Sequence, residues 1–155
     1  MTEDEKQLER LAELRPLCRF IQTAVEQLGR EKAKELAAVA FEKYACDRFV
    51  APYNDTPLDE RWEMFREAII NGADESTYAI EYCDDFMVKI RYLNCTFLNI
   101  FREFGLEDFV PSYCQTDYIT CRRIHPDIAM TRTQTLAEGA AYCDHCWTFV
   151  AGRKS

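Results

Sequence analysis

"STYAIEYCDDFMVKIRYL", Ser76–Leu93, is the stretch whose reading decides the fold. Upstream of it, apolar residues recur at helical spacing; here the period changes to two. Tyr78, Ile80 and Tyr82 fall on one face of a first strand, and Phe86, Val88, Ile90 and Tyr92 on one face of a second. Asp84-Asp85 between them reads as a hairpin turn, although no glycine supports the tightest type. The pattern predicts strands over 76–83 and 86–93. Hairpin strands pair antiparallel, so the sheet is read as antiparallel.

A second alternating region lies near the end of the chain. "DIAMTRTQTLA" and "AYCDHCWTFV" predict strands over 128–136 and 141–150, joined around Glu138-Gly139. The rest of the chain reads as helix. Thr2 and Glu5 fit a capping box, Pro16 interrupts or restarts the helix that follows, and Leu17, Phe20, Ile21, Ala24, Val25 and Leu28 lead to a closing Gly29. A second helix over 31–48 carries a face of small apolar residues that includes Ala33, Leu36, Ala37 and Phe41. Thr56, Pro57 and Asp59 read as the capped start of a third helix with Trp62, Phe65, Ile69 and Ile70 as its buried stripe. "CTFLNIFREFG" and "VPSYCQTDYITCRRIHP" read as two more. The expected fold is therefore α+β: a roughly four-stranded antiparallel sheet of two hairpins, packed with about five helices. The expected organisation is one domain over 1–155, with a helical half over 1–73, a sheet-containing half over 74–150 and a loose tail over 151–155.

Composition narrows the function classes. The 155 residues suffice for a core without metal or disulfide staples, and the net charge of −8 argues against nucleic acid as a partner. No apolar run reaches the roughly 20 residues of a membrane helix. The acidic start "MTEDEKQLER" does not read as an export signal, so the eight cysteines are expected as thiols in a reducing cytoplasm. Thiols there are apolar filler, metal ligands or reactive groups.

Cys143-x-x-Cys146 is the obvious candidate for a metal knuckle. Its flanks alternate like a strand, however, which puts Cys143, His145, Trp147 and Phe149 on one face and Cys146 on the other. Two such thiols cannot share an ion without a bulge. A dispersed metal site using Cys95, Cys114, Cys143 and His145 remains a second arrangement, and thiols packed under Trp147 and Phe149 a third. Cys114, Asp117 and Cys121, at i, i+3 and i+7, share a helix face, where Asp117 is either a surface partner of Arg122 or Arg123 or a functional carboxylate. His145, in a strand beside Cys143, is a better proton-transfer candidate than His125, which precedes Pro126. No Ser-His-Asp, HExxH, P-loop or GxGxxG pattern occurs.

Taken together, "CTFLNIFREFGLEDFVPSYCQTDY" and "RTQTLAEGAAYCD" resemble the L-2-amino-thiazoline-4-carboxylic acid hydrolase family. The resemblance rests on Cys95, Cys114 with Asp117, then Arg132, Thr133, Thr135, Leu136, Gly139, Cys143 and Asp144. His145-Cys146 departs from the aromatic-basic pair that follows the Cys-Asp of that motif. The resemblance implies hydrolysis of a small cyclic isothiourea or amidine-like substrate. Asp117 or His145 would be the base, Cys114 or Cys143 a possible nucleophile, and Arg132 the carboxylate ligand, with Cys95 and Asp144 also binding substrate. No cofactor is called for, and the partner is a small molecule rather than nucleic acid or membrane. The competing reading is a non-enzymatic sensor or carrier that binds a small ligand or metal through the clustered Cys and His residues.

Overall fold

The structure is a computed structural model, and it describes residues 3–74 and 76–150. The capping role read at Thr2 and the tail over 151–155 lie outside the described residues. Three helices come first: α1 (Glu3–Leu28), α2 (Arg30–Ala45) and α3 (Arg61–Asn71). The hairpin β1 (Tyr78–Cys83) and β2 (Met87–Tyr92) follows. Next are α4 (Thr96–Glu103), α5 (Val110–Cys114) and α6 (Thr116–Ile124), the last two being one helix broken at Gln115. β3 (Ile128–Thr131) and β4 (Cys143–Phe149) complete a four-stranded antiparallel sheet in the order β1-β2-β4-β3. The fold is α+β, as its alternating stretches imply.

Several elements depart from the sequence reading, each for a local reason. Pro16 does not break α1, which runs through it without interruption. Pro16 and Ala12, whose carbonyl it strands, are both exposed, so water can take the orphaned acceptor, while Leu14, Cys18 and Ile21 anchor the buried side. Phe20 (63% exposed) and Leu36 face outward instead of joining the apolar faces of α1 and α2. Thr56 does not cap α3, because Pro57 is extended (ψ 142°) and the α-helix begins only at Arg61. A bulge between Ile80 and Tyr82 turns Tyr82 to the solvent side of β1, while Val88 and Ile90 keep their inward alternation.

The apolar residues divide into two cores. One lies among the helices, where Phe41 of α2 meets Phe97 and Phe101 of α4 edge-on and Leu14, Cys18 and Ile21 of α1 close it. The other lies under the sheet, with Val88, Ile90, Ile128 and Trp147 from the strands against Trp62 of α3 and Cys121 and Ile124 of α6. Trp62 stacks on Phe149 and donates its indole N–H to the Asp85 carbonyl at 2.7 Å, which docks α3 onto the first hairpin turn. Tyr113, Cys114 and Leu136 edge the first core; Tyr92 and Tyr118 edge the second. The α5–α6 break lies at the seam between them.

The second hairpin is less regular than its sequence suggests. β3 stops at Thr131, not at 136. Asp144 of β4 is the cause. Its carboxylate accepts the Thr133 and Gln134 amide N–H groups at 2.9 and 2.8 Å and the Thr133 hydroxyl at 2.6 Å. Those amides are thereby drawn onto a side chain in place of a strand partner. Thr135 then caps the short turn Leu136–Glu138, and Gly139 closes it at φ 91°, a left-handed conformation natural to glycine. Asp144→Ala should free three donors and lower stability by about 1–2 kcal/mol. Urea denaturation measures this, and an unchanged midpoint would dismiss the bracket.

A candidate active site at the seam of the two cores

The residues picked out in the sequence begin from five different elements. Cys95 is the N-cap of α4, and its sulfur accepts the Leu98 N–H at 3.4 Å. Cys114 ends α5 and Asp117 lies in the first turn of α6. Arg132 follows β3, and Cys143 and His145 sit on the inward face of β4, where the burial of alternate residues is strict. Cys143 lies directly across from Tyr92 of β2, and His145 across from Ile90.

Arg132 ties these elements together. Only 5% of its side chain is exposed. One guanidinium nitrogen, Nη1, donates to the Cys114 carbonyl and to Asp117 Oδ2, both at 3.1 Å. The guanidinium lies over the Tyr118 ring, 5.1 Å from its centroid. The same cation thus satisfies a carbonyl released at the helix break and pairs with the carboxylate three residues beyond it. Asp117 Oδ1 makes no hydrogen bond among the described residues.

Burial dominates the protonation of every group here. Asp117 is walled in by protein even though 36% of its side-chain surface is open, and desolvation pushes its carboxyl up to about 6 against the opposing pull of Arg132. Desolvation likewise pushes the Cys114 thiol up to about 12. Arg132 works against that rise, and Asp117, Cys95 and Cys143 add to it. Cys95 is raised by burial and partly offset by the Leu98 and Phe97 amides. Cys143 is raised by burial too, with the Leu136 N–H, 3.1 Å from its sulfur, acting against it. Cys95, Cys114, Cys143, Asp117 and Arg132 therefore feel one another electrostatically, although they span thirty-eight positions from 95 to 132 and beyond to 143.

Other residues are placed differently. His145 is buried, its ring edge-on to Tyr92 and to Trp147, and its Nδ1 has no hydrogen-bond partner among the described residues. Burial lowers its pKa to about 3 and Arg132 adds to that, with Asp144 opposing. It is a neutral imidazole at pH 7, so no His145 cation offsets the rise at Asp117. Asp144 faces the other side of the sheet and is occupied by the Thr133–Gln134 bracket. Cys121 lies one turn after Asp117 on α6 and feels its charge, but its side chain packs into the core under the sheet. Trp147, which meets His145 edge-on, also packs edge-on against Phe65, and Phe149 stacks on Trp62. Cys143 and Cys146 are on opposite faces of β4, the latter paired across to Lys89. Among the described residues, no group of three or more His, Cys, Asp and Glu side chains is arranged to hold a metal ion.

Sequence reasoning passed over Arg102 of α4, which lines a cleft of about 260 Å³ together with Cys95, Asn94, Asn99 and Leu136. Its position seven residues after Cys95, two helical turns on, was the available signal. Of the candidate site residues, Cys95 alone lines this cleft.

Comparison with protein families gives a match to L-2-amino-thiazoline-4-carboxylic acid hydrolase over residues 9–147. The chain belongs to that family. The match includes α1 from residue 9 and every strand, far more than the C-terminal motif that first carried the resemblance. Family membership suggests a hydrolase of that type acting on a small molecule. No curated protein matches the chain. No helix among the described residues is long and apolar enough to cross a membrane.

The neutral state of His145 is directly measurable. Nitrogen NMR of the imidazole should show an uncharged ring at pH 5, where an ordinary histidine, titrating near 6.5, is almost fully protonated. The folded value is depressed, so the stability from this group is whole above about 6.5 and lost as pH falls toward 3. A His145 that titrates near 6.5 would overturn its burial as an uncharged group.

Proposed function

We propose that this chain hydrolyses the carbon–sulfur bond of a small cyclic isothiourea of the L-2-amino-thiazoline-4-carboxylate type, with Asp117 as the base that activates water. The observation that carries the reading is the carboxyl of Asp117. It is held by Arg132 through one oxygen, has its other oxygen without a hydrogen bond among the described residues, and is pushed up to about 6. A base near that value is mostly ionised at pH 7 and, once protonated, is still acidic enough to return the proton.

The reaction balances through that one group. Asp117 takes a proton from water as the water oxygen bonds to the carbon between sulfur and nitrogen, and the ring nitrogen gains a proton from solvent. Collapse of the tetrahedral centre breaks the carbon–sulfur bond, the proton on Asp117 passes to the departing sulfur, and the hydroxyl proton of the centre is released to solvent as the urea carbonyl forms, replacing the one the nitrogen took up. The product is the ring-opened N-carbamoyl-cysteine. Arg132 keeps the carboxylate oriented and limits how far desolvation raises it.

The thiols support this chemistry rather than lead it. At a pKa of about 12, Cys114 is a thiolate in only on the order of one molecule in 10⁵ at pH 7, so direct attack by its sulfur is disfavoured. Its carbonyl, not its sulfur, is what Arg132 holds. Cys143, bound by the Leu136 N–H, fixes the turn that walls the cleft.

Asp117→Asn should cut kcat by about 10²-fold or more while the protein stays folded. Cys114→Ser, with its carbonyl intact, should keep at least a tenth of the wild-type kcat. For the wild type, kcat/KM on L-2-amino-thiazoline-4-carboxylate should rise with pH through about 6 and level off above, because the ionised carboxylate is the active form. A fully active Asp117→Asn enzyme, or a Cys114→Ser enzyme with no activity, would replace the water mechanism with thiol attack or with another site.

A further inference from the structure

The proposed chemistry leaves one requirement open: a cation for the substrate's own charge. Arg132 is a poor candidate. Its side chain is 5% exposed, and its charge is already matched by Asp117, so the pair presents no net charge to an incoming anion. The 260 Å³ cleft beside Cys95 has different chemistry. Its volume is near the lower end of the roughly 300–1,000 Å³ of small-molecule sites. Arg102 is the one charged residue on its wall, in a chain of net charge −8.

Arg102 is also uncommitted. It is exposed and its side chain has no ion pair or hydrogen bond among the described residues, whereas its neighbour Glu103 pairs with Arg15 at 3.6 Å. Cys95, Asn99 and Arg102 share one face of α4, at i, i+4 and i+7. The Asn99 amide donates to Asn94 Oδ1 at 2.8 Å, which fixes both amides at the cleft wall. Leu136, whose N–H is bound to Cys143, also lines it. The cleft therefore places a guanidinium on the same wall as Cys95.

We propose that this cleft receives the carboxylate end of the substrate, with Arg102 as its counter-ion and the Asn94–Asn99 pair beside it. The identity of the substrate rests on the hydrolase reading; the preference of the cleft for an anion does not. Arg102 is then a specificity residue: it selects the acid over a ring that lacks the carboxylate, and the bond broken is left to Asp117.

Two measurements separate these claims. In the first, the reduced native protein is alkylated with iodoacetate or with the uncharged iodoacetamide, and the rate at Cys95 is followed by peptide mass spectrometry. The ratio of the two rates at one sulfur cancels that thiol's own reactivity. In Arg102→Met the iodoacetate-to-iodoacetamide ratio at Cys95 should fall about three- to tenfold at low salt, and Arg102→Lys should hold it near wild type. The ratio at Cys83, exposed on β1, should not move. An unchanged ratio at Cys95, or a Cys95 that reacts with neither reagent, overturns the cleft as an anion site. In the second, Arg102→Met should raise KM for L-2-amino-thiazoline-4-carboxylate about tenfold and leave the rate on 2-amino-thiazoline unchanged. A fallen ratio with an unchanged KM would mean that the anion bound there is not the substrate's carboxylate. A wild-type enzyme that does not turn over the acid would remove the hydrolase reading, and the alkylation ratio would still decide the cleft.

Discussion

A guanidinium with 5% of its side chain exposed has to be matched by partners, and Arg132 finds all of them at one break in one helix. An unpaired charge at that depth would be strongly destabilising. The Cys114 carbonyl is available because α5 ends there, and the Asp117 carboxylate is available because α6 has just begun. The position of β3 relative to α6 is thus set at its end by two hydrogen bonds of 3.1 Å and a contact with the Tyr118 ring. Asp144 does the complementary work from the far side of the sheet. By gathering the Thr133 and Gln134 amides it turns the chain away from β4 just after Arg132.

Desolvation is the second constraint, and one cause acts with opposite results on different groups. It raises Asp117 to a value useful for moving protons near neutral pH. It raises the Cys114 thiol to about 12, and it lowers His145 to about 3. On the proposed reading, the carboxylate alone carries the proton chemistry. The reason is that Asp117 alone combines burial with an opposing cation hydrogen-bonded to it and an accessible side. Cysteine-rich composition does not translate into thiol chemistry when the sulfurs sit at the seam of two apolar cores.

The division of labour across the chain follows from the two cores. The helical core fixes α4 through Phe97 and Phe101, and with it the row Cys95, Asn99 and Arg102 that borders the cleft. The core under the sheet fixes β4 and the start of α6. The proposed reacting group belongs to the junction, and the proposed anion site to the helical side. Changes in the cleft wall can therefore alter which substrate is read without disturbing Arg132 and Asp117.

Period-two alternation in 76–93 and around 143–149 was enough to determine the antiparallel strands, and with the helical stretches around them the α+β class. The reason is local: a strand places successive side chains on opposite faces, and burial of one face is written directly into the sequence. The same logic separated Cys143 from Cys146. Of the shared face predicted for Cys114, Asp117 and Cys121, the last two remain one helical turn apart on α6, while the break at Gln115 puts Cys114 on α5 and Cys121 packs into the core under the sheet. The length of β3 could not be read from alternation, since a carboxylate eleven residues away competes for its amides. Protonation was beyond the sequence altogether. That Asp117 rises, that His145 is neutral, that Arg132 is spent on a carboxylate and that Arg102 is not, all depend on which groups share a low-dielectric space, and only the tertiary structure brings those groups together.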